Sequence, residues 1–131
     1  MFGRMIKLLI VDNHDLVREA LQKRLATAVG LEVVGSTGRY EDALRQAQML
    51  APDVILMEIK APEGLQTLQT LRRMYPECAV IVLTSYPDSQ EEDQVRQMGA
   101  ASYLLKTLDT KVLVREIRNV ARLVKGEALP Y

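Results

Sequence analysis

Five times along this chain a short apolar run gives way to a stretch whose apolar residues recur at helical spacing. The runs are Ile6–Val11, Glu32–Gly35, Val54–Met57, Ala79–Leu83 and Ser102–Leu105. Val54-Ile55-Leu56-Met57 is unbroken, as expected of a parallel strand covered on both faces, whereas the mixed Glu32–Gly35 suits a sheet edge. Helical spacing is carried first by Leu16, Ala20, Leu21, Leu25 and Ala28, then by Tyr40, Ala43, Leu44, Ala47 and Leu50. Leu65, Leu68, Leu71 and Met74 follow at every third residue, and Leu113, Ile117, Val120 and Val124 mark the last helix. The fourth helix, about Ser89 to Met98, has only Val95 and Met98 as clear apolar anchors and is expected to be loosely held. Its charged run from Gln90 to Asp93 reads as a solvated face.

Punctuation agrees with the periodicity. Asp15 or Asn13 can cap the first helix and Asp109 or Thr110 the last. Gly30, Pro52 and Pro76 mark the ends of the first three helices. Strands alternating with helices through short connections predict an α/β fold, with helices on both faces of a parallel sheet. Right-handed crossovers then give a doubly wound sheet in the order 2-1-3-4-5. The 131 residues, 48% of them apolar, suit one domain with a real core. That domain is placed at residues 1–125, with 126–131 as a tail or the start of a linker.

Composition narrows the function. Lys and Arg total 17 and so do Asp and Glu, which argues against binding nucleic acid or membrane through bulk charge. Cys78 is the only cysteine and His14 the only histidine, so an internal disulfide is impossible and a structural zinc site is not expected. Cys78 is read as inert and His14 as a surface residue. No apolar run approaches membrane-spanning length and the N-terminus lacks a secretory signal, so a cytoplasmic location is expected.

Ligands of open α/β sheets gather at the carboxyl ends of the strands. In the expected order those ends carry Asp12 and Asn13, Glu58, Thr84 and Lys106. Carboxylates beside a lysine suit Mg²⁺ and phosphoryl chemistry, since the metal takes oxygen ligands and the ammonium balances phosphate. A flavin site is disfavoured. Asp12-Asn13-His14-Asp15 would repel phosphate where a cradle of Gly, Ser and Thr is wanted. A phosphatase would want a second acid where His14 stands.

Leu8-Leu9-Ile10-Val11-Asp12-Asn13-His14-Asp15, Pro52-Asp53-Val54-Ile55-Leu56-Met57-Glu58, Ile81-Val82-Leu83-Thr84-Ser85 and Gly99-Ala100-Ala101-Ser102-Tyr103-Leu104-Leu105-Lys106 stand in the order of four family motifs. Through them the chain resembles, over almost its whole length, the receiver domain of bacterial response regulators. The local wording is closest to regulators carrying a C-terminal helix-turn-helix. The resemblance implies a flavodoxin-like five-stranded sheet with five helices and a place in two-component signalling. It makes Glu58 the phosphoacceptor equivalent, Asp12 and Asn13 the acidic pocket, Lys106 the family lysine, and Thr84 with Tyr103 the switch positions. The backbone carbonyl of Lys60 is implied as a metal ligand.

Four departures bear on that chemistry. The family's acceptor is aspartate, its second pocket acid is replaced by Asn13, the loop after the acceptor is about two residues short at Gly64, and Thr107 stands where proline often follows the lysine. Glutamate carries its oxygens about 1.5 Å further, one C–C bond. Misplacement of about 1 Å can cost roughly 10²-fold in rate. The expectation is a non-enzymatic, atypical receiver that works by protein–protein contact, with no cofactor and weak Mg²⁺ at best. Asp12, Glu58 and the Lys60 carbonyl are the residual metal candidates. Glu58 either stands in for the phosphorylated state or replaces a lost acceptor. The alternative is a conventional phosphorylated regulator controlling transcription through a helix-turn-helix beyond this chain. Expected partners are a regulator, a kinase or its own output domain. A homodimer could form through the first and last helices or the face of the fourth helix, fifth strand and fifth helix, with Val112 and Val114 as apolar contacts. Glu58 is expected to hold Lys106 but not Thr84, leaving Tyr103 free to take either orientation.

Overall fold

The computed structural model describes residues 4–124, and the tail expected at 126–131 lies outside them. Five strands, β1 (Ile6–Val11), β2 (Leu31–Thr37), β3 (Val54–Met57), β4 (Ala79–Thr84) and β5 (Ser102–Leu105), alternate with five helices. These are α1 (Asp15–Ala26), α2 (Tyr40–Leu50), α3 (Glu63–Met74), α4 (Ser89–Gln97) and α5 (Thr110–Val124). All pairings are parallel and the order is β2-β1-β3-β4-β5, as the alternation predicted.

The pleat divides the core between two layers. Leu8, Ile10, Leu56 and Ile81 face Leu21 and Leu25 of α1 and Leu113, Ile117 and Val120 of α5. Leu9, Val11, Ile55, Met57 and Val82 face Ala43 and Ala47 of α2, Leu68 and Leu71 of α3, and Val95 of α4. Val95 is the one residue of α4 that is fully buried.

Several details differ from the sequence reading. Helix α1 ends at Ala26, and Gly30 (φ 83°) sits in the turn before β2 rather than at the helix end. Strand β2 begins at Leu31 and runs to Thr37, longer than the apolar pattern suggests, because an edge strand need bury only part of its length. His14 takes the N-cap position of α1 without a side-chain cap, so neither Asn13 nor Asp15 fills that role. Asp109 does receive the Lys111 N–H, at 2.9 Å. Leu16 is 81% exposed and Met74 56% exposed. For Met74 the reason is geometric. A strict three-residue repeat lags the helix by about 60° per step, so nine residues on from Leu65 it has rotated to the opposite face. Val114 is buried in the α1/α5 layer and so is not available to a partner, while Val112 is only partly covered. The side chain of Val124 lies outside what is described.

Candidate functional site

The site residues are the last rungs of the sheet ladder. One residue beyond each strand, the Asp12 N–H donates to Thr37 O at 3.0 Å, the Glu58 N–H to Val11 O at 3.0 Å, and the Lys106 N–H to Thr84 O at 2.8 Å. Hydrogen bonding therefore fixes all three backbones before any side-chain contact is made. Topology does the rest, since β1, β3 and β4 are adjacent and β5 flanks β4.

Lys106 reaches across this edge. Its Nζ lies 2.7 Å from Asp12 Oδ2 and 2.5 Å from Glu58 Oε1, and its side chain is 7% exposed. Burial opposes its charge and is the largest single influence. The hydrogen bonds and negative charges of Asp12 and Glu58 together outweigh it, so the ammonium is held above the ordinary lysine value. The expected Lys106–Glu58 contact is present, and Asp12 shares it.

The remaining oxygens face His14. Its Nδ1 is 3.1 Å from Asp12 Oδ1 and 3.4 Å from Glu58 Oε2, while its backbone N–H donates to the same Asp12 Oδ1 at 2.9 Å. Reading His14 as a surface residue missed this. Its side chain is half exposed, yet the turn that follows β1 folds the ring back onto the carboxylates. The signal available in sequence was the two-residue spacing from Asp12, which allows an Asx-type turn. Asn13 is exposed and, with Asp12, Glu58, Arg39, Tyr40 and Lys60, lines a cavity of about 330 Å³.

The loop after β3 is held from α2. Tyr40 Oη donates to Glu58 O at 2.9 Å and accepts from the Lys60 N–H at 2.8 Å. The Lys60 carbonyl accepts the Gly64 N–H at 2.7 Å, which closes the turn leading into α3. Helix α1 steadies both sides of the site. Arg18 Nη1 donates to Asp12 O at 2.6 Å, and Arg24 donates to Thr110 Oγ1, to Lys106 O and to Leu108 O. None of Tyr40, Arg18 and Arg24 was singled out from sequence for this role, because a surface arginine and a site-bracing one look alike in one dimension.

Thr84 Oγ1 engages the backbone of Tyr86, accepting its N–H at 3.1 Å and donating to its carbonyl at 3.2 Å. Tyr103 is not free, contrary to expectation. It is 9% exposed, and its hydroxyl donates to Glu91 Oε1 at 2.8 Å and accepts the Asp88 N–H at 3.1 Å. Burial first, then the bond to Glu91, push its phenol above the ordinary value. The ring is tied to α4 because the acidic face of that helix, read as merely solvated, offers Glu91 toward β5.

A doubly wound 2-1-3-4-5 sheet with carboxylates and a lysine at its carboxyl edge defines a receiver-type signalling domain. Residues 8–118 match the response regulator receiver domain, and the chain belongs to that family. It is 41% identical to the response regulator GacA of Pseudomonas aeruginosa over 118 residues, covering 88% of this chain and 55% of GacA. It is 34% identical to the transcriptional regulatory protein DegU of Brevibacillus brevis, covering 89% and 50%. The chain thus spans about half the length of the curated relatives it matches. Among solved structures, the receiver domain of the putative response regulator NarL from Mycobacterium tuberculosis shares the fold. Its TM-score is 0.85 at 24% identity, with 92% of this chain and 98% of that one covered. No helix among the described residues is long and apolar enough to cross a membrane.

Proposed function

We propose that this receiver domain is atypical and works through protein–protein contact without phosphorylation of Glu58. The observation that carries the reading is the pairing of Lys106 with both Asp12 and Glu58. The ammonium that would neutralise an incoming phosphoryl group is already committed to the carboxylate that would have to accept it.

Mg²⁺ is expected to bind weakly at best at Asp12, Glu58 and the Lys60 carbonyl. That ion demands near-octahedral oxygen coordination at about 2.0–2.1 Å. Here Asn13 supplies no charge, and the Lys60 carbonyl is engaged by the Gly64 N–H in the turn into α3. Lys106 competes for one oxygen of each carboxylate, Asp12 Oδ2 and Glu58 Oε1. Glu58 adds one methylene to the reach of aspartate, which further misplaces the nucleophile. As a stand-in for phosphate it is incomplete, offering one charge and two oxygens against about −1.5 to −2 and three. Thr84 Oγ1 is bonded to the backbone of Tyr86.

The domain is therefore read as a contact module of a transcription regulator, acting on a kinase, another regulator or an output domain of its own. Homodimerisation belongs to the same reading. Leu16, Val29 and Leu123, on or beside α1 and α5, are each more than half exposed and provide apolar area for it. Intact mass after incubation with acetyl phosphate and Mg²⁺ tests the central point. No gain of about 80 Da is expected, and stoichiometric addition mapped to Glu58 would overturn it. Light scattering at high concentration tests the dimer, which a purely monomeric species would exclude.

A further inference from the structure

The chain is neutral overall, with 17 basic and 17 acidic residues, yet its last helix is not. We infer that the outer face of α5 is a docking surface for an acidic protein segment, a helix rich in Asp and Glu that carries an apolar anchor. The inference deepens the reading above and rests on it in one respect, since the domain is taken to make its contacts without phosphorylation.

Periodicity places the charge. Lys111, Arg115, Arg118 and Arg122 follow one another along α5 at helical spacing. At about 100° per residue they fall within a stripe about 60° wide and about 16 Å long. The core residues Leu113, Ile117 and Val120 lie on the opposite side of the helix. Lys111 and Arg115 are exposed, and Arg118 and Arg122 partly so. The one acid of α5, Glu116, lies on the flank, where it accepts a hydrogen bond from Ser102 of β5. None of the ion pairs among the described residues involves the four cations. Arg118 donates to Val29 O at 2.5 Å, which fixes its guanidinium while using only one of its N–H groups.

The first turn of α5 points the same way. Helices α1, α2, α3 and α4 each carry an acid there, where the macrodipole favours one, and α5 carries none. Lys111 stands in that turn instead. The positive end of the helix and the four cations therefore add at one surface, and an anionic partner gains from both.

The kind of anion follows from the cleft beside the stripe. Ala28, Val29, Thr110, Lys111, Val114 and Arg118 line a cavity of about 350 Å³ between the turn after α1 and the start of α5. Val29 is 84% exposed. Apolar walls between two cations suit an apolar side chain flanked by acids, which a nucleic-acid backbone does not offer. A second copy fits less well. A two-fold pairing of the stripe on itself sets like charges opposite one another. The acids of α4 that would meet it in a head-to-tail contact are partly committed, Glu91 to Tyr103 and Glu92 to Arg96.

The test follows the amide resonances of the ¹⁵N-labelled full chain as a probe is added. The probe is a synthetic amphipathic helix of Glu and Leu at heptad spacing, compared with its Lys and Leu counterpart and with a DNA duplex of random sequence. Only the acidic peptide should bind, shifting Val29, Lys111, Arg115, Arg118 and Arg122, and added salt should weaken it. An exposed ion pair contributes up to about fivefold in affinity and reversal adds repulsion, so Lys111→Glu/Arg115→Glu should weaken binding at least about tenfold. Both residues are exposed, and the variant should melt like the parent. Shifts confined to other surfaces, equal affinity in the reversed variant, preference for DNA or the basic peptide, or no binding at millimolar peptide would overturn the inference. The titration is repeated after acetyl phosphate treatment, with intact mass measured. Binding seen only once Glu58 is phosphorylated would instead overturn the reading on which the inference rests and leave the stripe in place.

Discussion

The hydroxyl of Tyr40 stands where a side chain on residue 64 would begin: a Cβ built on Gly64 would lie 2.7 Å from it. The same Cβ would lie 3.1 Å from Ile59 Cα, a backbone atom that has little room to retreat. The turn from Lys60 to Gly64 thus brings α3 close enough for α2 to clamp the segment after Glu58, and only glycine leaves the space.

Gly64→Ala should therefore destabilise the fold by about 1–3 kcal/mol, the range for overpacking. Tyr40→Phe loses the hydroxyl bridge and should cost about 1 kcal/mol. Combined, the two should cost less than their sum, because removing the hydroxyl relieves the closest contact. Urea melts of the four proteins check this, and strict additivity would contradict the shared space.

Lys106→Ala leaves two carboxylates largely buried without their cation and should lower stability by roughly 3 kcal/mol. The pH dependence has a definite sign. The folded-state value of Lys106 is raised above 10.5, so its contribution is complete below 10.5 and is lost as pH rises through the folded value. Denaturation of wild type and Lys106→Ala should therefore converge in strongly alkaline solution and diverge near neutrality.

Cys78 is 5% exposed, and burial pushes its thiol up to about 12. Its reaction with a thiol reagent at neutral pH should be far slower than in urea-unfolded chain and should follow the opening of the fold. Burst labelling of native protein would show a reactive cysteine instead.

Glu58→Asp alone should not give phosphorylation by acetyl phosphate, because Asn13 and the engaged Lys60 carbonyl remain. Adding Asn13→Asp should restore part of it. Intact-mass analysis decides, and full restoration by the single change would show that side-chain length was the sole obstacle.

Sequence alone determined the topology. Apolar runs of strand length, separated by helical spacing and stopped at Pro52 and Pro76, leave few ways to bury every apolar face, and the 2-1-3-4-5 sheet is the one observed. It also fixed which residues meet at the carboxyl edge, because a residue just past a strand inherits its position from the ladder. Tertiary structure decided the partners. Whether His14 points at solvent or at Asp12 depends on a turn, and whether Tyr103 is free depends on Glu91 arriving from α4. The roles of Arg24 and Tyr40 likewise appear only when α1 and α2 are packed against loops 82 to 86 and 18 to 20 residues away. Burial is a short-range pattern that periodicity records. Hydrogen bonds between polar side chains and distant backbone depend on direction and distance in space, which one-dimensional spacing does not carry.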